Sequence, residues 1–368
     1  MAQAARLAAQ LARPRLYAGR LTMPKNNDFA RGTARAISPG MEQGPMTPFL
    51  NTAAVISMSF TLASAQSVFQ VPVEQHAVPV HMVVTAEPLY GGQIPSINRG
   101  DVQVLHLPTD LPVTEWLPLQ GDMAGLELYF LIDERVDPST TARFEELRRF
   151  ISSQPATTAV GVAYMKNGEA RIAQPPTSEH TLAANAIRTP TGDNSFEANP
   201  FTSLSALING WPTGALRREV VLVTDGIDVF EDVGGATMYL DIGVADAQRA
   251  GVEVFCFFAP SAGHAGHSAA LIHGGQAYLQ QIAEETGGES YFNVNELEPA
   301  TSFDPYLADV ARHLARQYRI TFLATPVVRR GVLGGESALQ RVAFRTPLPN
   351  VELTSAYGFY LGAEESRP

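Results

Sequence analysis

Two apolar runs of strand length organise the chain. Leu126–Asp133 (LELYFLID) is interrupted only by Glu127 and the closing Asp133, and Glu219–Asp225 (EVVLVTD) repeats the pattern about ninety residues on. Near-continuous apolar segments of this length predict strands covered on both faces, as in parallel sheets. Behind the first strand, Pro138 and Ser139 open an amphipathic helix with Phe144, Leu147, Phe150 and Ile151 at helical spacing. A strand that ends in an acid and turns into a helix places that acid at the carboxyl edge of the sheet, where open α/β sheets bind ligands. The alternation continues through a strand in TTAVGVAYM, a weaker antiparallel edge strand in EARIAQ and a polar, loop-rich stretch from Arg188 to Pro200. A short helix from Ser203 to Asn209 comes before the second acid-ending strand. After it come a helix near Tyr239–Ala250, a strand at Val252–Phe258, a helix at Ala269–Glu285, a short strand at Glu289–Val294 and a closing helix at Asp304–Arg316. The expected fold is α/β, a doubly wound and mostly parallel sheet.

The flanks have a different texture. From Val71 to about Gln120, short β-type segments (VPVHMVVTAEP, GDVQVLHL, VTEWLPL) are separated by turn-rich stretches, and QYRITFLATP, ALQRVAFRTP and VELTSAYGFYL repeat this texture after Arg316. Three short strands on either side are too few to be stable alone, so the expectation is one β-sandwich built from both flanks, with the α/β unit inserted into it. The expected division is a leader at 1–65, β segments at 66–121 and 318–368, and the α/β domain at 122–317.

The leader changes the picture of where the chain works. Seven basic residues precede position 40, an apolar run spans Phe49 to Leu62, and Ala63-Ser64-Ala65 follows. This is the pattern of a secretory signal cut after Ala65, with translation starting at Met1, Met23 or Met41. Removing 1–65 takes away seven bases and two acids and moves the net charge from −11 to −16. So acidic a mature chain argues against nucleic acid and anionic membrane as partners. No other apolar run reaches the ~18 residues needed to span a bilayer, so the mature chain is expected to have no integral membrane span and to be secreted or periplasmic. Cys256, the only cysteine, lies inside a predicted strand and is expected to be a buried free thiol.

The two acid-ending strands also carry a resemblance. Asp133-Glu134-Arg135-Val136-Asp137, Thr202 in NPFTSLSAL and Asp225 resemble the metal-ion-dependent adhesion site of the von Willebrand factor A (vWA) family, where a D-x-S-x-S loop, a threonine and a later aspartate hold a divalent metal. GGQIPSINRGDVQVLHL, AEETGGESYFNV and QYRITFLATP resemble the secreted VWFA-related proteins of the acidobacterial type, over roughly Val71 to Gly362. The resemblance implies a non-enzymatic module that binds a protein partner at or outside the cell envelope. It also implies magnesium or manganese held by Asp133, Asp137, Thr202 and Asp225. Arg135 and Asp137 depart from the family pattern, standing where both serines should be. A guanidinium beside a divalent ion repels it by several kcal/mol at the effective dielectric of a protein site. The favoured expectation is therefore a degenerate site with no cofactor, in which Arg135 takes the cation's place against Asp133 or Asp225.

A competing reading is a metal-dependent envelope enzyme or metal-binding protein that uses these carboxylates or a histidine loop. His264, His267 and His273, in PSAGHAGHSAALIHGG, fall after the fifth strand on the same sheet edge, and imidazoles at this spacing can chelate zinc or copper. GHSAA resembles a nucleophile elbow, but Ser268 lies several residues beyond its strand, and no other enzyme motif is present.

Overall fold

The computed structural model describes residues 76–106, 108–192, 199–212, 217–228, 238–263, 267–292, 302–331 and 334–361, with backbone alone for 328–331 and 334–337. The chain divides into two units, Met1–Val73 and Glu74–Pro368, and everything below concerns the second. The expected signal segment and His264 lie outside the described residues.

Four strands come first: β1 (Val78–Pro88), β2 (Gln103–His106), β3 (Thr109–Leu111) and β4 (Val113–Pro118). The α/β unit follows with β5 (Leu126–Asp133), α1 (Thr141–Ser152), β6 (Thr158–Lys166), β7 (Glu169–Thr177), α2 (His180–Ala186), α3 (Pro200–Gly210) and β8 (Arg218–Thr224). It is completed by α4 (Met238–Ala250), β9 (Val252–Phe258), α5 (Ala269–Thr286), β10 (Ser290–Tyr291) and α6 (Asp304–Leu314). Seven short strands close the chain: β11 (Gln317–Ala324), β12 (Val328–Gly331), β13 (Gly334–Ser337), β14 (Leu339–Arg341), β15 (Ala343–Arg345), β16 (Val351–Thr354) and β17 (Gly358–Tyr360).

The α/β unit is a six-stranded sheet in the order β10-β9-β8-β5-β6-β7, parallel except for the antiparallel edge strand β7. The apolar run of β5 is explained by what covers it. Leu128, Phe130 and Ile132 pack beneath α1, α2 and α6, while Tyr129 and Leu131 pack beneath α3, α4 and α5. Alternate residues thus enter two separate cores, so from Leu128 onward every position of the strand is buried. Burying side chains of this size contributes about 1.5–3 kcal/mol each. Cys256 is fully buried in the second core, where burial pushes its thiol pKa far up. No helix among the described residues is long and apolar enough to cross a membrane.

Several boundaries differ from the sequence expectation, each for a local reason. The helix expected from Ser203 starts at Pro200, because the Asn199 side chain caps it by accepting from the Phe201 and Thr202 amides at 2.9 and 3.0 Å. The seven-residue helix α2 was not anticipated; it is too short to show a helical stripe and buries only Ala183 and Ala184. Trp211 closes α3, sends its indole N–H to Glu127 Oε2 at 2.7 Å and meets the Tyr129 ring edge-on at 4.7 Å.

The two flanks share sheets. β1 lies between β11 and β16, and β11 continues to β4, all antiparallel; β15 pairs β2, which pairs β3. One core holds Val80, Val84, Val104 and Trp116 from before the α/β unit with Ile320, Phe322, Phe344 and Phe359 from after it. Since β1 takes the hydrogen bonds of both its edges from residues 316 onward, a fragment of residues 66–121 is expected to show no dispersed amide spectrum by NMR. A folded spectrum from that fragment would show that the first flank needs no help.

Candidate functional site

β5 and β8 are neighbours in register, Ile132 opposite Val223, so the residues that follow them meet at the carboxyl edge. Asp133 ends β5 and Asp225 comes directly after β8. Between them lies Arg135, whose Nη2 donates to Asp133 Oδ2 and Asp225 Oδ1 at 3.0 Å each, and to the Ile227 carbonyl at 3.2 Å. All three side chains are at most 5% exposed. Burial opposes the charge on Arg135, but the two carboxylates more than offset it and raise its pKa above the usual guanidinium value.

The backbone holds this arrangement in place. Asp133 Oδ1 accepts from the Arg135 amide at 2.9 Å, its Oδ2 accepts from Thr224 Oγ1 at 2.8 Å, and Asp225 Oδ1 accepts from the Ile227 amide at 3.0 Å. The 133–137 loop is tied to the loop after β9 by the Ala262 amide on the Arg135 carbonyl at 2.7 Å, the Asp137 amide on the Pro260 carbonyl at 3.0 Å and a bridge from Val136 to Ser261. Next to it, Arg188 pairs with the Glu134 carboxylate and stacks 3.9 Å over Tyr164. Burial works to raise the Glu134 pKa, but the bonds from Arg188 and Thr191 leave it below the usual carboxylate range. In the sequence Arg188 opens the polar, loop-rich stretch that runs to Pro200, and no local pattern marks Glu134 as its partner.

The structure places the other expected residues elsewhere. Asp137 caps the turn into α1, its Oδ1 accepting from the Ser139 amide at 2.8 Å. Thr202 lies in the first turn of α3, where its hydroxyl donates to the Asn199 carbonyl at 3.1 Å and sits against Gly168. Neither makes a described hydrogen bond to the Asp133–Arg135–Asp225 group. Ser203, one residue on, lines a recess of about 10 Å³ with Asp133, Glu134, Arg135, Lys166 and Asn199. That volume holds about one water. His267 precedes α5, His273 is exposed in its second turn, and Ser268 is the helix's N-cap, its Oγ accepting from the Leu271 amide at 3.2 Å.

The donor set can be tested against a divalent ion. Magnesium takes about six oxygens at 2.0–2.1 Å. An ion bonded to Asp133 and Asp225 would need the space between them, and Arg135 Nη2 is already at hydrogen-bond distance from both. With this side chain in place the residues do not fit the metal.

No family model and no curated protein matches the chain. Solved structures do match, among them an aerotolerance-related membrane protein from Bacteroides fragilis at 16% identity, TM-score 0.35, covering 52% of this chain and 98% of that one. A mutant of the PilB minor pilin from Streptococcus sanguinis matches at 15% identity, TM-score 0.35, over 54% of this chain and 63% of that one. A von Willebrand factor type A protein from Catenulispora acidiphila matches at 10% identity, TM-score 0.34, over 78% of this chain and 73% of that one. At these TM-scores the superpositions are too loose to transfer the role of any residue.

Proposed function

We propose that the chain is an exported, non-enzymatic vWA module that binds a protein partner at the cell envelope, and that Arg135 fills the cation position of its adhesion site. The observation that carries this reading is the buried guanidinium 3.0 Å from both Asp133 and Asp225, at the sheet edge where the vWA resemblance places a metal. A metal site recognises a partner through an exchangeable coordination position. A guanidinium whose donors serve its own carboxylates offers none, so recognition falls to the surrounding loops and is independent of divalent ions. The domain reading belongs to the same proposal: an α/β domain at 122–317 inserted in a β-sandwich formed by 66–121 and 318–368, supported by the flanks' common core. The groups at hand do not favour catalysis. Ser268 caps a helix and Cys256 is buried. A hydroxyl–imidazole contact does exist, Thr85 Oγ1 to His313 Nε2 at 2.7 Å, but Thr85 is fully buried, out of reach of a substrate.

The test is divalent-dependent stability. Wild-type protein is expected to melt at the same temperature, within about 1 °C, with and without millimolar magnesium or manganese. The double variant Arg135→Ser with Asp137→Ser restores D-x-S-x-S and keeps a good cap at position 137. It is expected to gain about 2.7 kcal/mol at a hundred-fold excess of ion over Kd. Equal stabilisation of wild type and variant by magnesium would refute the filled site. Export is checked separately: mass spectrometry of the exported chain is expected to find Gln66 at the N-terminus, and an N-terminus upstream of Phe49 would exclude the signal.

A further inference from the structure

Away from the carboxylate edge, three segments distant in sequence converge. Glu87 lies near the end of β1, Glu289 immediately precedes β10, and His313 lies in the last turn of α6. One oxygen from each carboxylate and one imidazole nitrogen lie within 4.8 Å of one another. Among the described residues this is the only His, Cys, Asp and Glu group so close; His267 and His273 do not belong to it.

The imidazole is what makes this more than an acidic cluster. His313 is 1% exposed and packs edge-on against Phe255 at 5.0 Å. Its Nε2 side is committed, with Thr85 Oγ1 at 2.7 Å and Glu253 Oε2 at 3.5 Å, and Glu253 is itself held by Gln317 Nε2 at 2.7 Å. Its Nδ1 is buried without a hydrogen-bond partner and is aimed at the cluster, 3.4 Å from Glu87 Oε1. A ring that gives its Nε2–H to Thr85 and Glu253 points the Nδ1 lone pair at two carboxylates. Lone pair facing carboxylate is repulsive unless a cation lies between them. A carboxylate behind the imidazole is also the arrangement that orients and strengthens a metal-bound histidine. Arg217, the cation that reaches Gln317, donates from its two terminal nitrogens to the Leu314 and Ala124 carbonyls and to Gln317 Oε1, at 2.9, 3.0 and 2.6 Å, and has no described hydrogen bond to Glu87, Glu253 or Glu289.

We propose that Glu87, Glu289 and His313 bind a divalent transition-metal ion, zinc by the character of one imidazole and two carboxylates, with Thr85 and Glu253 orienting the imidazole. Zinc takes these ligands at about 2.0–2.2 Å in tetrahedral geometry, leaving water as the fourth ligand. Ligand atoms around such an ion sit about 3.5 Å apart, so a group within 4.8 Å need close by only about 1 Å. Glu87 and Glu289 are both partly exposed. The ion ties the flanking strand β1 to α6 and to the β10 edge of the parallel sheet. The site is independent of Arg135 and of the proposed adhesion function.

The experiment uses the full mature chain, stripped with chelator and titrated with zinc chloride. About one zinc per chain is expected to survive dialysis, with a melting increase of roughly 5 °C or more at a hundred-fold excess over Kd, and none with magnesium. Glu289→Gln, a near-isosteric change at a partly exposed position, should abolish the shift. Glu253→Gln, which meets His313 at Nε2 and not at the metal-facing Nδ1, should weaken zinc binding about 10-fold or more. A proton on His313 alone would give no zinc retention and no shift, and would overturn the proposal. A zinc shift unchanged in both Glu289→Gln and Glu87→Gln would place the metal elsewhere and overturn it equally.

Discussion

Replacing Arg135 with methionine is expected to destabilise the protein by about 3–5 kcal/mol, because removing one partner of a buried ion group leaves the others charged and unpaired. The cost falls at the upper end of that range, since two carboxylates are stranded and not one. Asp133 and Asp225 are then left facing each other with Thr224 and backbone amides as their remaining donors. For a chain of this size each kcal/mol moves the melting point by roughly 2–4 °C, so the drop is easily measured. The variant should be melted in chelator, since the opened site becomes a cation site. Adding Asp133→Asn and Asp225→Asn to Arg135→Met should recover most of the loss, because whole buried ion groups can be neutralised at little cost. A melting point for Arg135→Met within about 2 °C of wild type would mean that the guanidinium is not what neutralises the pair.

How much of this was legible in the sequence follows from the range over which each feature is set. β5 and β8 were readable because both their faces are buried, so the apolar run carries the strand, its burial and its direction together. The meeting of Asp133 with Asp225 followed from two strands ending alike. Arg135 was readable as a misfit, a charge where the resembled motif has a hydroxyl. Thr202 was a different matter. Its motif fits the family, but Asn199 and Pro200 start α3 three residues earlier than the apolar pattern shows, and this turns the Thr202 hydroxyl back onto the Asn199 carbonyl. The hairpin of β12 and β13 and the helix α2 were illegible, being too short for any period to register. Glu87, Glu289 and His313 were beyond reach for another reason. Their meeting depends on pairings between β1, β11 and β16 that span more than two hundred residues, and no local pattern records a partner at that distance.

The second large effect is expected at Gly226, the residue after Asp225. Its φ is +72°, a region where an L side chain costs about 1–2 kcal/mol. A Cβ there would also lie 2.4 Å from the Gly275 carbonyl oxygen and 2.7 Å from Leu279 Cγ, both on α5. The contact is mutual, for a Cβ on Gly275 would lie 2.5 Å from the Asp225 carbonyl oxygen. The two glycines thus let the β8 loop rest directly on the α5 backbone, and that fixes the height at which Asp225 meets Arg135. Gly226→Ala combines backbone strain with overpacking of about 1–3 kcal/mol, for a total of roughly 2–5 kcal/mol. Two controls separate the contributions. Gly251 also has positive φ, +62°, but nothing lies within 4 Å of where a methyl would go, so Gly251→Ala should cost only the backbone share. Gly274 sits beside Gly275 in α5 with open space around it, so Gly274→Ala should stabilise by about 0.5–1 kcal/mol while Gly275→Ala destabilises. The order of melting points expected is Gly274→Ala above wild type, then Gly251→Ala, then Gly226→Ala. If Gly226→Ala melts with Gly251→Ala, the close approach of α5 does not constrain the loop, and the position of Asp225 must be set by Arg135 and the Ile227 amide alone.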